Sequence, residues 1–197
     1  MQARSEFILG GQRSGKSRRA ELLARDWLEQ SPEHQAVMIA TATACDDEMK
    51  DRIARHQLDR AERVPGITTV EEPVNLGEAV QTHSKPQTIV VVDCLTLWLT
   101  NLLMPHENAE NGLKNRLNLP PDQQIHAQAA SLLIAIKNAS GPVILVGNEI
   151  GLGVIPMGRG TRDFVDALGR LNQEVAAVCE RVTFLAAGLP LMLKGQA

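Results

Sequence analysis

The chain has 197 residues, 44% of them apolar and 22% charged, with a net charge of −3 and an isoelectric point near 6.0. That length suits one well-buried domain and is short for two large ones, while the mild acidity and the lack of a basic run argue against a nucleic-acid partner. No apolar run nears the roughly 18 residues needed to span a bilayer, residues 1–6 do not read as a signal peptide, and the three cysteines Cys45, Cys94 and Cys179 are too scattered for a disulfide framework or a zinc site, so a reducing cytoplasm is the expected setting.

The first predicted element is a short buried strand at Phe7-Ile8-Leu9. It leads into Gly10-Gly11-Gln12-Arg13-Ser14-Gly15-Lys16-Ser17, which fits G-x-x-x-x-G-K-[ST], and then into a helical pattern with apolar residues at positions 20, 23, 24, 27 and 28. Strand, glycine loop and helix N-terminus together build an anion site, because backbone N–H groups and the positive helix end converge on phosphate oxygens. In such a loop Lys16 reaches the β- and γ-phosphates and the Ser17 hydroxyl binds Mg²⁺. The expected ligand is a nucleoside triphosphate.

Strand-like and helical patterns then alternate. A strand at 36–41 precedes a charged amphipathic helix at 46–63, whose Asp46 and Asp47 lie where the helix dipole favours them. A short strand at 67–71, a helix at 73–83, a buried strand at 88–93 and a helix at 95–103 follow. The stretch 104–121, rich in Asn and Pro, reads as an exposed loop or insertion. A helix at 122–138, a strand at 143–146, a helix at 162–181 and a strand at 182–186 lead to a closing segment at 189–193, an edge strand in which a proline is tolerable. The alternation predicts one domain over 1–197: α/β, three layers, with a mostly parallel sheet.

In open parallel sheets ligands gather at the carboxyl ends of the strands. Asp93 ends the strand at 88–93 in the Walker-B manner, suited to Mg²⁺, although a carboxylate there also suits a cap on the next helix. Thr41 and Thr43, Glu71, and Asn148-Glu149 before Gly151-Leu152-Gly153 occupy similar positions. Singly each fits a cap or turn; together they converge on the edge that carries the P-loop. On the helix at 46–63, Met49, Ile53, His56 and Arg60 share one face. A histidine on an apolar stripe suits packing, but Arg52 and Arg60 flank His56 four residues to either side. Their charges favour the neutral imidazole and offer guanidinium groups to phosphate. A neutral imidazole nitrogen can attack phosphorus to form a phosphoramidate, dividing one difficult transfer into two. Beside that reading stand a P-loop small-molecule kinase with no covalent intermediate and a RecA-like ATPase, the latter weakened by the lack of a basic tract.

Several motifs narrow the choice. The P-loop with Arg18, Ile39-Ala40-Thr41-Ala42, Asp46-Asp47-Glu48-Met49, Arg52-Ile53-Ala54-Arg55-His56 and Thr69-Val70-Glu71 occur in order, followed by Val92-Asp93-Cys94-Leu95-Thr96-Leu97-Trp98-Leu99-Thr100-Asn101, Asn148-Glu149-Ile150-Gly151-Leu152-Gly153-Val154-Ile155-Pro156 and Gly169-Arg170-Leu171-Asn172-Gln173. This series, covering nearly the whole chain, resembles the bifunctional adenosylcobinamide kinase/adenosylcobinamide-phosphate guanylyltransferases of cobalamin biosynthesis.

The resemblance implies a RecA-type P-loop NTPase fold, a homotrimer, and two reactions. A nucleoside triphosphate, ATP or GTP, phosphorylates the aminopropanol hydroxyl of the corrinoid substrate adenosylcobinamide. GTP then guanylylates a histidine, and the GMP passes to adenosylcobinamide phosphate. That histidine falls on His56. Lys16 is implied as the other catalytic residue, and nucleotide contacts are implied at Gly10, Gly11, Gln12, Arg13, Ser14, Gly15, Lys16, Ser17, Ala40, Thr41, Ala42, Gln57, Leu58, Asp59, Arg60, Glu71 and Asp93. Guanine preference comes from the resemblance alone, because no Asn-Lys-x-Asp motif occurs. The chain departs from the family pattern in Met157-Gly158-Arg159-Gly160 after Pro156, in Val165 where many members carry arginine, and in the longer 104–121 segment.

Overall fold

The computed structural model describes residues 4–43, 47–104 and 121–195, without the side chains at 47–50, 52, 53, 56, 121 and 122. Seven strands form one sheet: β1 (Ser5–Gly10), β2 (Gln35–Ala40), β3 (Thr68–Glu71), β4 (Thr88–Asp93), β5 (Val143–Val146), β6 (Arg181–Ala186) and β7 (Leu189–Lys194). Their order is β3-β2-β4-β5-β1-β6-β7, parallel throughout except for the antiparallel β7. The helices are α1 (Lys16–Gln30), α2 (Asp47–Arg63), α3 (Leu76–His83), α4 (Leu95–Leu103), α5 (Pro121–Asn138) and α6 (Arg159–Val178). The expected three-layer α/β architecture is what the chain adopts; the expected insertion at 104–121 lies outside the described residues except at its two ends.

The central strands are apolar on both faces, and their period of two divides the core. Phe7, Leu9, Val90, Val92, Val143 and Leu145 point to one side, where Leu76, Trp98, Leu132 and Leu171 from α3, α4, α5 and α6 cover them. Ile8, Met38, Ile89, Val91, Ile144 and Val146 point to the other, under Ala20 and Ala24 of α1. Small residues on α1 let that helix lie close to the strands, which matters because α1 carries the P-loop at its N-terminus. Glu6, 2% exposed, secures the same region from below. Its carboxylate accepts hydrogen bonds from Arg19 (3.1 and 3.2 Å), Thr183 (2.8 Å) and Arg181 (3.5 Å), joining α1, β1 and β6. A buried carboxylate so enclosed is tolerable only because its partners replace water.

The largest boundary differences from the sequence reading fall on two helices, each for a local reason. The helix expected over 73–83 begins at Leu76, because Glu72 Oε1 accepts the N–H groups of Val74 (2.9 Å) and Asn75 (2.7 Å) in a separate turn. The helix expected over 162–181 runs instead from Arg159 to Val178. At its start, the Arg162 N–H already reaches Gly158 O, while the Arg162 guanidinium binds the carbonyls of Pro156 and Met157. At its end, pairing of Arg181 with Glu6 on β1 withdraws the chain into β6. The closing segment is an edge strand as expected, with Pro190 inside it.

The close approach of α3 to α5 depends on a glycine. A Cβ at Gly77 on α3 would lie 2.4 Å from Ser131 Oγ and 2.7 Å from the Ser131 carbonyl carbon, so α3 and α5 must separate for anything larger. Gly77→Ala is therefore expected to destabilise the fold by about 1–3 kcal/mol, the usual range for overpacking, despite alanine's better helix propensity. Urea unfolding followed by circular dichroism measures this; an unchanged midpoint would show that the α3–α5 contact yields freely.

Candidate active site

Strand register brings the expected residues to one edge. Ala40 pairs laterally with both Glu71 and Asp93, Asp93 with Val146, and Val146 with Ile8, two residues before the P-loop. The loop itself is closely held. Gly10 has φ 154°, and a Cβ there would meet Leu185 O at 2.4 Å and Ser14 Oγ at 2.6 Å, which leaves no room for a side chain. Arg13 and Gly15 also have positive φ. From the far side, the turn between β6 and β7 braces the loop through a Gly188 N–H to Ser14 O bond of 3.0 Å.

Helix α1 starts with no side-chain cap and no acidic residue in its first turn. Its first N–H groups are thus left for an anion, with the helix dipole behind them. The Ser14 hydroxyl is buried there without a hydrogen-bond partner; in proteins such orphans are uncommon and mark a place where an absent polar partner fits. Lys16 is buried, and its Nζ donates to Gly11 O at 2.6 Å. Burial lowers its pKa from the ordinary 10.5, and the nearby Cys94 and Asp93 pull it partly back. Ser17 follows on α1 and Asp93 stands half-buried at the end of β4. Burial, then the neighbouring Asp93 charge, push the Cys94 thiol up to about 11, so Cys94 is a protonated packing residue and no nucleophile at neutral pH.

The lowered lysine pKa sets a pH dependence. Triphosphate attracts the ammonium form, so affinity is full below the lowered value and falls as pH rises through it; binding then restores the proton. Titration calorimetry at alkaline pH in buffers of different ionisation heat is expected to reveal proton uptake on nucleotide binding. Equal heats in the two buffers would show that Lys16 stays fully charged.

Other predicted residues are placed differently. Gly11, Gln12 and Arg13 are exposed at the rim. Ala40 and Ala42 flank Thr41, which is fully buried: its hydroxyl donates to Cys94 O (2.7 Å) and accepts the Cys94 N–H (2.8 Å). That hydroxyl clamps the end of β2 to the end of β4, and its one proton is taken by Cys94 O. Glu71 is exposed at the end of β3. On α2, Gln57 and Leu58 face solvent, while Asp59 pairs with Arg63 at 3.1 Å. Arg60, expected beside His56 as a phosphate ligand, is buried; it donates to Thr69 Oγ1 (3.2 Å) and lies 3.9 Å from the Glu21 carboxylate. Among the described contacts Arg60 ties α2 to α1 and β3, while its buried Nε makes no hydrogen bond. His56 falls within α2, but its side chain, like that of Arg52, lies outside the described residues.

The sequence reading gave no role to Asn101, Thr96 or Asn172. Asn101 Nδ2 donates to Thr41 O (2.8 Å) and Pro73 O (3.1 Å), joining the exits of β2 and β3. Thr96 Oγ1 accepts the Asn148 N–H (2.9 Å). Asn172, buried on α6, donates to Asn148 O (3.1 Å) and Glu149 Oε2 (3.4 Å). The available signal was an asparagine amid leucines inside a helix, where its low propensity needs a compensating bond. Among the described residues no group of three or more His, Cys, Asp or Glu side chains is arranged to hold a metal ion.

Fold and loop together define a P-loop nucleotide-binding α/β protein. Comparison with known proteins specifies which: residues 6–193 match the cobinamide kinase / cobinamide phosphate guanyltransferase family, and the chain belongs to that family. It is 43% identical to the bifunctional adenosylcobalamin biosynthesis protein CobP of Pseudomonas aeruginosa, over 97% of this chain and 98% of that one. The corresponding CobU of Escherichia coli is 35% identical, over 95% and 98%. Among solved structures, the flagellar accessory protein FlaH of Methanocaldococcus jannaschii is similar over 98% of this chain and 78% of its own, at 12% identity and a TM-score of 0.48.

Proposed function

We propose that one P-loop site, carried by a single domain, serves both reactions of this family and that His56 carries the guanylyl group. In the kinase step the γ-phosphoryl of ATP or GTP passes to the aminopropanol hydroxyl of adenosylcobinamide. In the second step a nitrogen of His56 attacks the α-phosphorus of GTP, the bond to pyrophosphate breaks, and a phosphoramidate forms. The phosphate of adenosylcobinamide phosphate then attacks the same phosphorus and releases the imidazole, giving adenosylcobinamide-GDP.

The observation that carries the nucleotide site is the uncapped start of α1, with the buried Lys16 in its first turn and the buried, unpartnered Ser14 hydroxyl just before it. Backbone N–H groups and the Lys16 ammonium stabilise charge on the transferring phosphoryl group with little reorganisation. The oxygens of Ser17 and Asp93 suit Mg²⁺, a hard cation that takes one or two protein oxygens beside substrate phosphates and, when bound, neutralises triphosphate charge. For His56 the support is the family motif around it. The resemblance also supports a homotrimer, and the reading is that of a cytoplasmic enzyme; among the described residues no helix is long and apolar enough to cross a membrane.

Incubation with GTP labelled at the α-phosphate, followed by a denaturing gel and intact mass, tests the covalent step. The expected result is a GMP adduct stable to alkali and lost in acid, as a phosphoramidate behaves. A protein that never carries GMP while phosphorylating adenosylcobinamide is a plain kinase.

A further inference from the structure

Asn148 and Glu149 stand at the end of β5, between β4 and β1 in the sheet, and nothing above assigns them a chemical role. Glu149 is tied directly to the P-loop: its N–H donates to Gly10 O at 3.2 Å. Its carboxylate is held from two directions, Oε1 accepting the Gly151 N–H (3.2 Å) and Oε2 facing Asn172 Nδ2 (3.4 Å). Immediately beyond it, Ile150 begins the lining of a cavity of about 670 Å³, whose other wall is α6 with Arg162, Asp166 and Arg170. Glu149 thus lies between the loop that holds the phosphoryl donor and a cavity large enough to admit part of an alcohol substrate.

We infer that Glu149 is the general base of the kinase step. Resting on the kinase reading above, the inference adds the group that receives the proton. As the alcohol oxygen bonds to the γ-phosphorus, its O–H bond breaks and the proton passes to the Glu149 carboxylate. The bond from the γ-phosphorus to the bridging oxygen breaks in turn, and its electron pair leaves with the nucleoside diphosphate. After product release the carboxylic acid returns its proton to water. Asp93, at the end of β4 with its charge felt by Lys16, lies on the nucleotide side and suits the metal. Two carboxylates on neighbouring strands therefore divide the work, one serving the donor and the other the acceptor.

The test compares wild type, Glu149→Gln and Glu149→Asp in steady-state phosphorylation of adenosylcobinamide across pH, with ATP affinity measured separately by titration calorimetry. General-base catalysis contributes about 10²–10⁴-fold. The amide variant is expected to lose at least about a hundredfold in kcat, to keep ATP affinity within about threefold, and to lose the acidic limb of the kcat profile. The aspartate variant is expected to retain that limb at reduced kcat. A Glu149→Gln kcat within about threefold of wild type overturns the assignment, as does an acidic limb that persists in it. A parallel loss of ATP affinity in both variants also overturns it, because it shows that the residue only supports the P-loop. Should wild type itself fail to phosphorylate the alcohol, the kinase reading fails first and the base assignment falls with it, a result distinct from a wild type that works and a variant that works equally well.

Discussion

Lys16→Ala is expected to abolish both phosphoryl and guanylyl transfer while leaving the protein folded. Each reaction develops or redistributes negative charge on a triphosphate, and the Lys16 ammonium is the buried cation at the loop's centre. Loss of a single preorganised donor at such a site costs about 10²–10³ in rate; a full charge on a transferring phosphoryl group is worth as much or more. The fold should tolerate the change. Burial lowers the lysine pKa, so its charged form is held there at a desolvation cost that alanine removes, and among the described residues the hydrogen bond lost is to Gly11 O. Alanine also suits the first turn of α1. Turnover in both assays, nucleotide affinity and a thermal melt are the measurements. A folded variant with unchanged triphosphate affinity and turnover would remove the nucleotide site from this loop.

His56→Ala is expected to separate the two activities. The GMP adduct and transfer to adenosylcobinamide phosphate should vanish, because the proposal gives the nucleophile's role to His56. Phosphorylation of adenosylcobinamide should survive at least in part, since that step needs positioning, charge neutralisation and a base but no covalent protein intermediate. His56→Asn controls for shape. Intact mass after incubation with GTP reads the adduct, and product analysis reads each reaction. A GMP mass on a different residue of the substituted protein would move the nucleophile elsewhere and leave the enzyme class standing. Loss of phosphorylation equal to the loss of guanylylation would show instead that His56 supports the shared site.

The P-loop was legible because its physics is local. Strand, tight glycine turn and uncapped helix start occupy consecutive residues, and the positive φ at Gly10 and Gly15 is a local conformation that favours glycine. The burial of β1, β4 and β5 on both faces was equally legible in their unbroken apolar runs, as was the edge placement of β7 with its proline. Helix limits were less so. Glu72 turning back onto Val74 and Asn75, and Arg181 pairing with Glu6, depend on hydrogen bonds that propensity does not register.

The sequence alone determined the α/β alternation, the anion-binding loop and the set of polar residues at strand ends, because each depends on side-chain period or on backbone conformation over a few residues. Only the tertiary structure decided how those residues divide their duties. Thr41 gives its hydroxyl proton to Cys94 O, and Arg60 turns to Glu21 and Thr69, so both residues also tie framework elements together. Glu149, far along the chain from the P-loop, comes to Gly10 through parallel pairing of β5 with β1. A buried polar group takes whichever partner the packing brings within reach, since leaving it unpaired costs about 1–3 kcal/mol, and strand order, which a linear pattern does not encode, selects that partner.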